Sequence, residues 1–439
     1  MRNARFVAPL AQMAKLGFLL SACALHVPHL SAAEQEDLGW FQWRGPTRDA
    51  KLATRMLPQD LTDRSLHLDW RVDLGPSYSG PIVTKDKIFV TETEDEQYEV
   101  VRAFDRSTGK QLWSTRWSGS LTVPFFASAN GSWIRATPAY DGQYLYVAGI
   151  RDRLVCLNAA TGAEVWNVDF MSQLRSPLPR FGCVSSPLVW GDHVYVQAGS
   201  GFVKMDKRSG RIVWRTLRDQ GGMYGSAFSS PIMAELGGKR QLLVQTRRLL
   251  AGVDPEQGSV LWSREITAFR GMNILTPVVV GDAVFTSAYG GRSHLFRLQE
   301  RQGSLGVEAL WESKVQAYMS SPVVIDGYAY VHLRNQRLTC IDLKTGRTTF
   351  TTRPFGKYWS MVATADRILA LDQRGELLLI RANPEKFELL GRRKISNDET
   401  WAHLAIHGDQ IVVRELNGLM SLRFQPNLPV KATLEDAAE

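Results

Sequence analysis

Residues 154–166 read LVCLNAATGAEVW: an apolar strand, an Asn, a Gly four residues on, and a Trp four after that. The spacing recurs as Asp105-Gly109-Trp113, Asn158-Gly162-Trp166, Asp206-Gly210-Trp214, Asp254-Gly258-Trp262 and Asp342-Gly346-Phe350, with a looser copy lengthened between Gly303 and Trp311. Each copy has a physical reading. The Asp or Asn bonds its own backbone in a turn, and the Gly supplies the positive φ of a tight hairpin. The returning strand then presents a large aromatic, whose burial is worth roughly 2–3 kcal/mol.

A second marker precedes each unit. Ser185-Ser186-Pro187, Ser229-Ser230-Pro231 and Ser320-Ser321-Pro322 each lead into an apolar strand, a Gly/Asp turn and another strand. Pro81, Pro138 and Pro277 hold the same place, as do Met361 and Leu404 by register, giving eight anchors 39 to 57 residues apart. Four short strands in each such interval is the arithmetic of a propeller blade. The fold class is therefore all-β: an eight-bladed β-propeller of four-stranded antiparallel blades. The last copy ends before any aromatic outer strand, while Leu66-His67-Leu68-Asp69-Trp70 is a strand without a blade. Joining the two closes the ring and removes exposed edges.

The chain divides into residues 1–33, 34–64, 65–425 and 426–439. The first part has a basic start (Arg2, Arg5, Lys15), the apolar run Leu16 to Leu25 and small residues up to Ala33, the pattern of a secretory signal peptide. A competing reading makes Leu20-Ser21-Ala22-Cys23 a lipoprotein box with Cys23 as the lipidated first residue. Either way the expected location is outside the cytoplasm, in the periplasm or cell envelope, with membrane attachment through Cys23 in the second case. No segment of the mature chain is long and apolar enough to span a bilayer as a helix. Residues 34–64 form a leader, residues 65–425 the propeller, and residues 426–439 an expected disordered tail.

The formal net charge is +8, and losing the three cations of residues 1–33 leaves +5. Without a Lys/Arg run this favours solubility and attraction to acidic surfaces over nucleic-acid binding. Cys156, Cys183 and Cys340 are too scattered for a disulfide framework, so stability must come from the core. A monomer is expected.

The strand, Asp-x-x-Thr-Gly-x-x-x-Trp and Ser-Ser-Pro pattern resembles the pyrroloquinoline-quinone-like repeat family over about residues 65–425. Phe41-Gln42-Trp43-Arg44-Gly45-Pro46 is similar to the Trp-Arg-Gly-Pro leader of many exported bacterial propellers of this kind. The resemblance implies two kinds of protein: quinone-dependent dehydrogenases, and non-enzymatic lipoprotein propellers of outer-membrane assembly. It implies for the first kind a calcium ion, an Asp base and a disulfide between neighbouring cysteines. No two cysteines are adjacent here and no calcium-binding set stands out, so no cofactor is expected, and the pyrroloquinoline quinone with calcium of the alternative enzyme reading lacks support from the cysteines. A polysaccharide lyase or hydrolase is a weaker alternative, with no acid or base to nominate.

Other chemistries find little footing. His403 and His407, four apart on a strand, would stand ~13 Å apart, too far for one metal. The acidic run Glu92, Glu94, Asp95, Glu96 reads as a solvated hairpin tip before it reads as a calcium site. The segments entering the innermost strands, however, should gather around the mouth of the central channel. They carry Tyr78, Trp133 with Arg135, Arg180 with Phe181, Tyr224 with Phe228, Phe269 with Arg270, Tyr318, Tyr358 with Trp359, and Trp401 with His403. Aromatics and Arg dominate binding hot spots, and Arg suits carboxylates. The expected partner is an envelope protein or an acidic glycan. The simpler alternative is that these rings only wedge between blades. The long insertion 117–136, with Phe125-Phe126, is expected to pack against the blade or, failing that, to form a lip over the same face.

Overall fold

The computed structural model describes residues 39–52, 57–221, 225, 227–301 and 303–425. Residues 1–38, including Cys23 and the expected signal peptide, lie outside the described residues, as do Tyr224 and residues 426–439.

The described residues form eight four-stranded antiparallel sheets. In chain order the blades span 82–118, 139–169, 188–216, 232–265, 278–313, 323–351, 360–394 and 405–424. The eighth takes its outer strand from the N-terminal side. Leu66–Asp73 pairs with Gly418–Phe424, from Leu66 opposite Phe424 to Asp73 opposite Gly418, with one bulge beside Asp69. The expected closure is what the ring uses. The apolar core lies between neighbouring blades: Phe89 and Val101 of blade 1, for example, share a buried cluster with Leu145 and Val155 of blade 2.

The repeated Asp–Gly–Trp spacing works as a lock between blades. Asp105 Oδ1 accepts from the Ser107 and Thr108 amides, and Gly109 N–H returns to the Asp105 carbonyl. Gly109 has φ +70°, and a Cβ there would lie 2.6 Å from the Trp70 ring of the closing strand. Trp113 covers Gly162 in the same way, Trp166 covers Gly210, Trp214 covers Gly258 and Trp311 covers Gly346. Each of these indoles also donates to a backbone carbonyl of the hairpin it covers: Trp70 to Arg106, Trp113 to Ala159, Trp166 to Lys207, Trp214 to Glu256, Trp311 to Leu343. One residue type thus satisfies two demands, a positive φ and a close approach. Blade 5 has the lengthened hairpin, so Trp262 finds its acceptor in its own blade, at Gln241 Oε1.

The Ser/Thr-Pro anchors form a second circuit, around the axis. The Thr137 hydroxyl accepts the Gly80 amide at 3.0 Å, Ser186 that of Thr137 at 2.9 Å, Ser230 that of Ser186 at 2.9 Å, and Ser321 that of Thr276 at 3.1 Å. The hydroxyl satisfies an amide at the inner edge of the neighbouring blade, where no strand continues the ladder.

The leader threads this axis and plugs it. Trp40 exchanges both backbone bonds with Val83 of blade 1, the Phe41 carbonyl accepts from Tyr140 of blade 2, and Ala50 and Leu52 bond Ala363 of blade 7. Arg44 donates to the Pro322 carbonyl of blade 6, and Arg48 to the Ser186 and Pro187 carbonyls of blade 3. Gly45 sits at φ +82°, where a Cβ would meet the Trp40 ring at 2.8 Å, which accounts for Gly within Trp-Arg-Gly-Pro.

Two acids are buried where blades 1 to 3 meet. Glu99 accepts from Trp117 Nε1 and the Ile150 amide; Asp152 accepts from the Gly199 amide at 2.8 Å and leaves Oδ1 without a partner. Burial raises both to about 7. A raised carboxyl contributes stability that is complete below its unfolded value near 4 and is lost as pH rises through about 7. Asp152→Asn is therefore expected to stabilise the protein by roughly 2–4 kcal/mol at pH 8 and to change little below pH 4. Equal shifts in melting temperature at both pH values would contradict this.

Candidate functional site

Antiparallel blades place the eight segments entering the inner strands on one face, together with the hairpins between second and third strands. A cavity of about 540 Å³ opens there on the axis. Its floor includes Trp43 of the leader and the hydroxyls of Ser186, Ser230, Ser321 and Ser360. Trp43 Nε1 is held by Thr276 Oγ1 at 2.9 Å, and its ring meets His403 edge-on at 5.3 Å. The plug therefore makes the cavity blind.

Aromatic rings run round the mouth. Tyr78, Trp401, Tyr358, Tyr318, Tyr289 and Phe269 follow one another at centroid distances of 4.6, 4.2, 5.9, 4.9 and 5.3 Å. Phe126, Phe181 and Phe228 form a second arc at 6.2 and 5.7 Å. Guanidiniums bridge or back these arcs. Arg270 lies over Phe269 and Phe126, Arg247 over Phe228 and Phe181, and Arg135 over Tyr78. The first arc is Tyr and Trp up to Phe269 at its end, and the second is Phe.

The electrostatics lean one way. Among the described residues the lining contains Arg135, Arg247 and Arg270 and no Asp or Glu. Arg135 is half-buried, and desolvation lowers its pKa, although its Nη2 donates to the Asn130 carbonyl at 3.3 Å. His403, buried and near Arg44, is pushed down to about 3 and is neutral at physiological pH. Glu399 stands behind the wall, accepting from Tyr78 Oη at 3.3 Å and Gln373 Nε2 at 2.6 Å. Burial, with Glu399 second, raises the Tyr78 phenol.

Tyr78, Arg135, Phe181, Arg270, Tyr318, Trp359, Trp401 and His403 all line the cavity, as the alignment of entry segments placed them. Trp133 is half-buried and outside the lining, and Arg180 is exposed and outside it as well. Arg180 sits inside a turn in which the Gly182 amide returns to the Pro179 carbonyl. Tyr224 falls outside the described residues. The sequence reading missed Trp43, Arg247 and Tyr289. The latter two stand on hairpins between second and third strands, which reach the same face as the entry segments. The expectation that Phe125-Phe126 packs against the blade is wrong: a short 3₁₀ turn over Phe125–Asn130 leaves Phe125 92% and Phe126 61% exposed, as a lip.

A calcium-assisted quinone centre requires carboxylate ligands and a carboxylate base. The lining supplies guanidiniums, hydroxyls and rings, so the residues present do not fit that group. The acidic run is accounted for by Arg: Glu92 bonds Arg102 and the Gly75 amide, and Glu94 pairs with Arg116. His332 stacks on Trp359 at 4.7 Å and is lowered by burial to about 4.

Eight closed blades, five of their junctions locked by a Trp over an Asp/Asn-x-x-x-Gly hairpin, define a propeller of the pyrroloquinoline-quinone-like repeat class. The family described as outer membrane protein assembly factor BamB matches residues 97–352, more than half of the sequence, and the chain belongs to it. The BamB of Yersinia pestis is 23% identical over 270 residues, covering 56% of this chain and 63% of the relative, so the matched part is less than two thirds of that protein. The BamB of Moranella endobia is 24% identical over 357 residues, covering 78% of this chain and 85% of the relative. The crystal structure of BamB from Moraxella catarrhalis superposes with a TM-score of 0.59 at 14% identity, covering 82% of this chain and 98% of that one. At that identity the likeness is one of fold.

Proposed function

We propose that this chain is an exported, non-enzymatic envelope scaffold that docks a protein partner on the face bearing the aromatic and arginine mouth. Residues 1–33 act as the export signal in this reading, with lipidation at Cys23 as its membrane-attached form, and residues 426–439 as a tail. The observation that carries the proposal is the mouth itself: a ligand-sized cavity ringed by aromatics and guanidiniums, with exposed Phe125, Phe126 and Phe269 (46%) at its rim. Buried aromatic and Arg anchors within an exposed apolar patch are the make-up of a binding hot spot. The lack of any carboxylate among the lining residues favours binding over a quinone enzyme or a glycan-cleaving one, both of which need an acid or base. Membership of a family described as assembly factors points the same way.

The test is photo-crosslinking in cells, with benzoylphenylalanine at position 126 or 269 and, as control, at Lys344 on the opposite face. The proposal expects a discrete protein adduct from 126 and 269 that Lys344 does not give. Adducts from Lys344 alone, or from none of the three, would sink it.

A further inference from the structure

Resting on that reading of the face, we propose that the cavity receives an acidic segment of the partner, with an apolar or aromatic side chain seated between carboxylates. Three independent features lead to this.

The first is charge. Arg135 and Arg270 have no carboxylate within ion-pair distance among the described residues, and the lining offers them none. Arg270 spans the gap between Phe269 and Phe126, where a carboxylate can meet the guanidinium edge while an apolar group covers the rings.

The second is the sign of the unsatisfied groups. Two buried wall atoms lack a hydrogen-bond partner among the described residues, Trp359 Nε1 and Arg135 Nε, and both are donors. Both belong to residues that line the cavity and both are closed to solvent, so they show a wall short of acceptors rather than a contact for the ligand.

The third is the ground beside the mouth. A groove of about 610 Å³ adjoins it, sharing Tyr318 and Tyr358, and is lined by Lys314, Arg334 and Lys357 without an acid. A third recess farther out sets Lys357, Arg374 and Lys394 against Asp398 and Glu399, so the basic ground is that of the adjoining groove. A basic track therefore leads from the mouth across blades 6 and 7, complementary to a chain carrying several carboxylates. An acidic glycan shares that charge. It would leave Phe125 and Phe126 in water, whereas apolar side chains of a peptide cover them, and this favours the peptide.

The experiment is a display selection of random dodecapeptides against the full-length protein, followed by titration of the selected peptides with wild type, Arg270→Gln and Lys357→Glu. Both altered residues are outside the core, so folding is kept. Selected peptides are expected to be acidic with one or two apolar or aromatic residues. Each substitution should weaken them roughly tenfold, and 0.5 M salt should weaken them further. Neutral or basic selected peptides, or acidic ones indifferent to both substitutions, would overturn the proposal. So would an empty selection accompanied by saturable binding of oligogalacturonate, which would assign the cavity to acidic glycans. If crosslinking at 126 and 269 succeeds while acidic peptides are refused, this inference alone falls; if crosslinking fails, the docking face falls with it.

Discussion

Arg414→Leu is expected to lower the stability of the ring by about 4–5 kcal/mol, the largest loss from any single residue. Arg414 lies on the second strand of blade 8, fully buried. Its guanidinium donates to the carbonyls of Glu415, Leu416 and Gly418 in its own blade, of Gly75 just beyond the closing strand, and of Thr91 in blade 1. One side chain thus stitches the end of the ring to its beginning. Leucine fills part of the volume and removes the guanidinium from those carbonyls; the Leu416 carbonyl keeps the Ser77 amide, and each one left bare costs about 1–3 kcal/mol. The loss is less than their sum because the buried guanidinium, lowered to about 10 by desolvation, carries a burial penalty that leucine lacks. Denaturant unfolding measures the total, and hydrogen exchange should show Leu66–Asp73 losing protection first. A loss under 1 kcal/mol would mean that blade 8 closes by strand pairing alone.

The double substitution Arg44→Leu/Arg48→Leu is expected to cost about 3–4 kcal/mol and to loosen the cavity floor. Burial holds Arg44 down to about 10 and Arg48, with Arg44 as neighbour, to about 9. Both remain charged at neutral pH with carbonyl oxygens as their main acceptors, a costly arrangement to assemble. What it secures is contact between the leader and opposite sides of the ring, through Pro322 on one side and Ser186 and Pro187 on the other. Without those bonds Trp43, half-buried on the cavity floor, loses its support, and tryptophan quenching by an aqueous quencher should increase. Unchanged stability and quenching would show that the backbone pairing of Trp40, Ala50 and Leu52 suffices to hold the plug.

Much of this architecture is readable in the chain because its determinants are short-range. Asp105, Gly109 and Trp113 fall within nine residues, and the turn that joins them forms locally. The orphan strand at Leu66 and the unfinished last copy could be matched by counting. The sequence shows that each Trp recurs but not that it covers the next blade's Gly, since that contact joins residues 35 to 49 apart. The Ser/Thr-Pro anchors were visible as a marker, while their role as amide acceptors between blades depends on how closely the inner strands approach the axis. The course of the leader was not legible at all: Arg44 meets Pro322 across 278 residues. At the mouth, aligning entry segments found Tyr78, Arg135, Arg270 and Trp401. It misplaced Arg180, which a Gly182 turn carries away from the axis, and overlooked Arg247, which reaches the same cavity from a hairpin.

A docking role requires that a protein cover the aromatic and arginine face in the envelope. Hydroxyl-radical footprinting of the chain in intact cells, set against the purified protein, tests it most directly. Phe125, Phe126 and Phe269 are exposed in the isolated chain and should oxidise readily once purified. In cells the account predicts that all three are protected, while exposed Val165 and Val213 on the outer strands label equally in both. Equal oxidation of the three phenylalanines in cells and in isolation would contradict it.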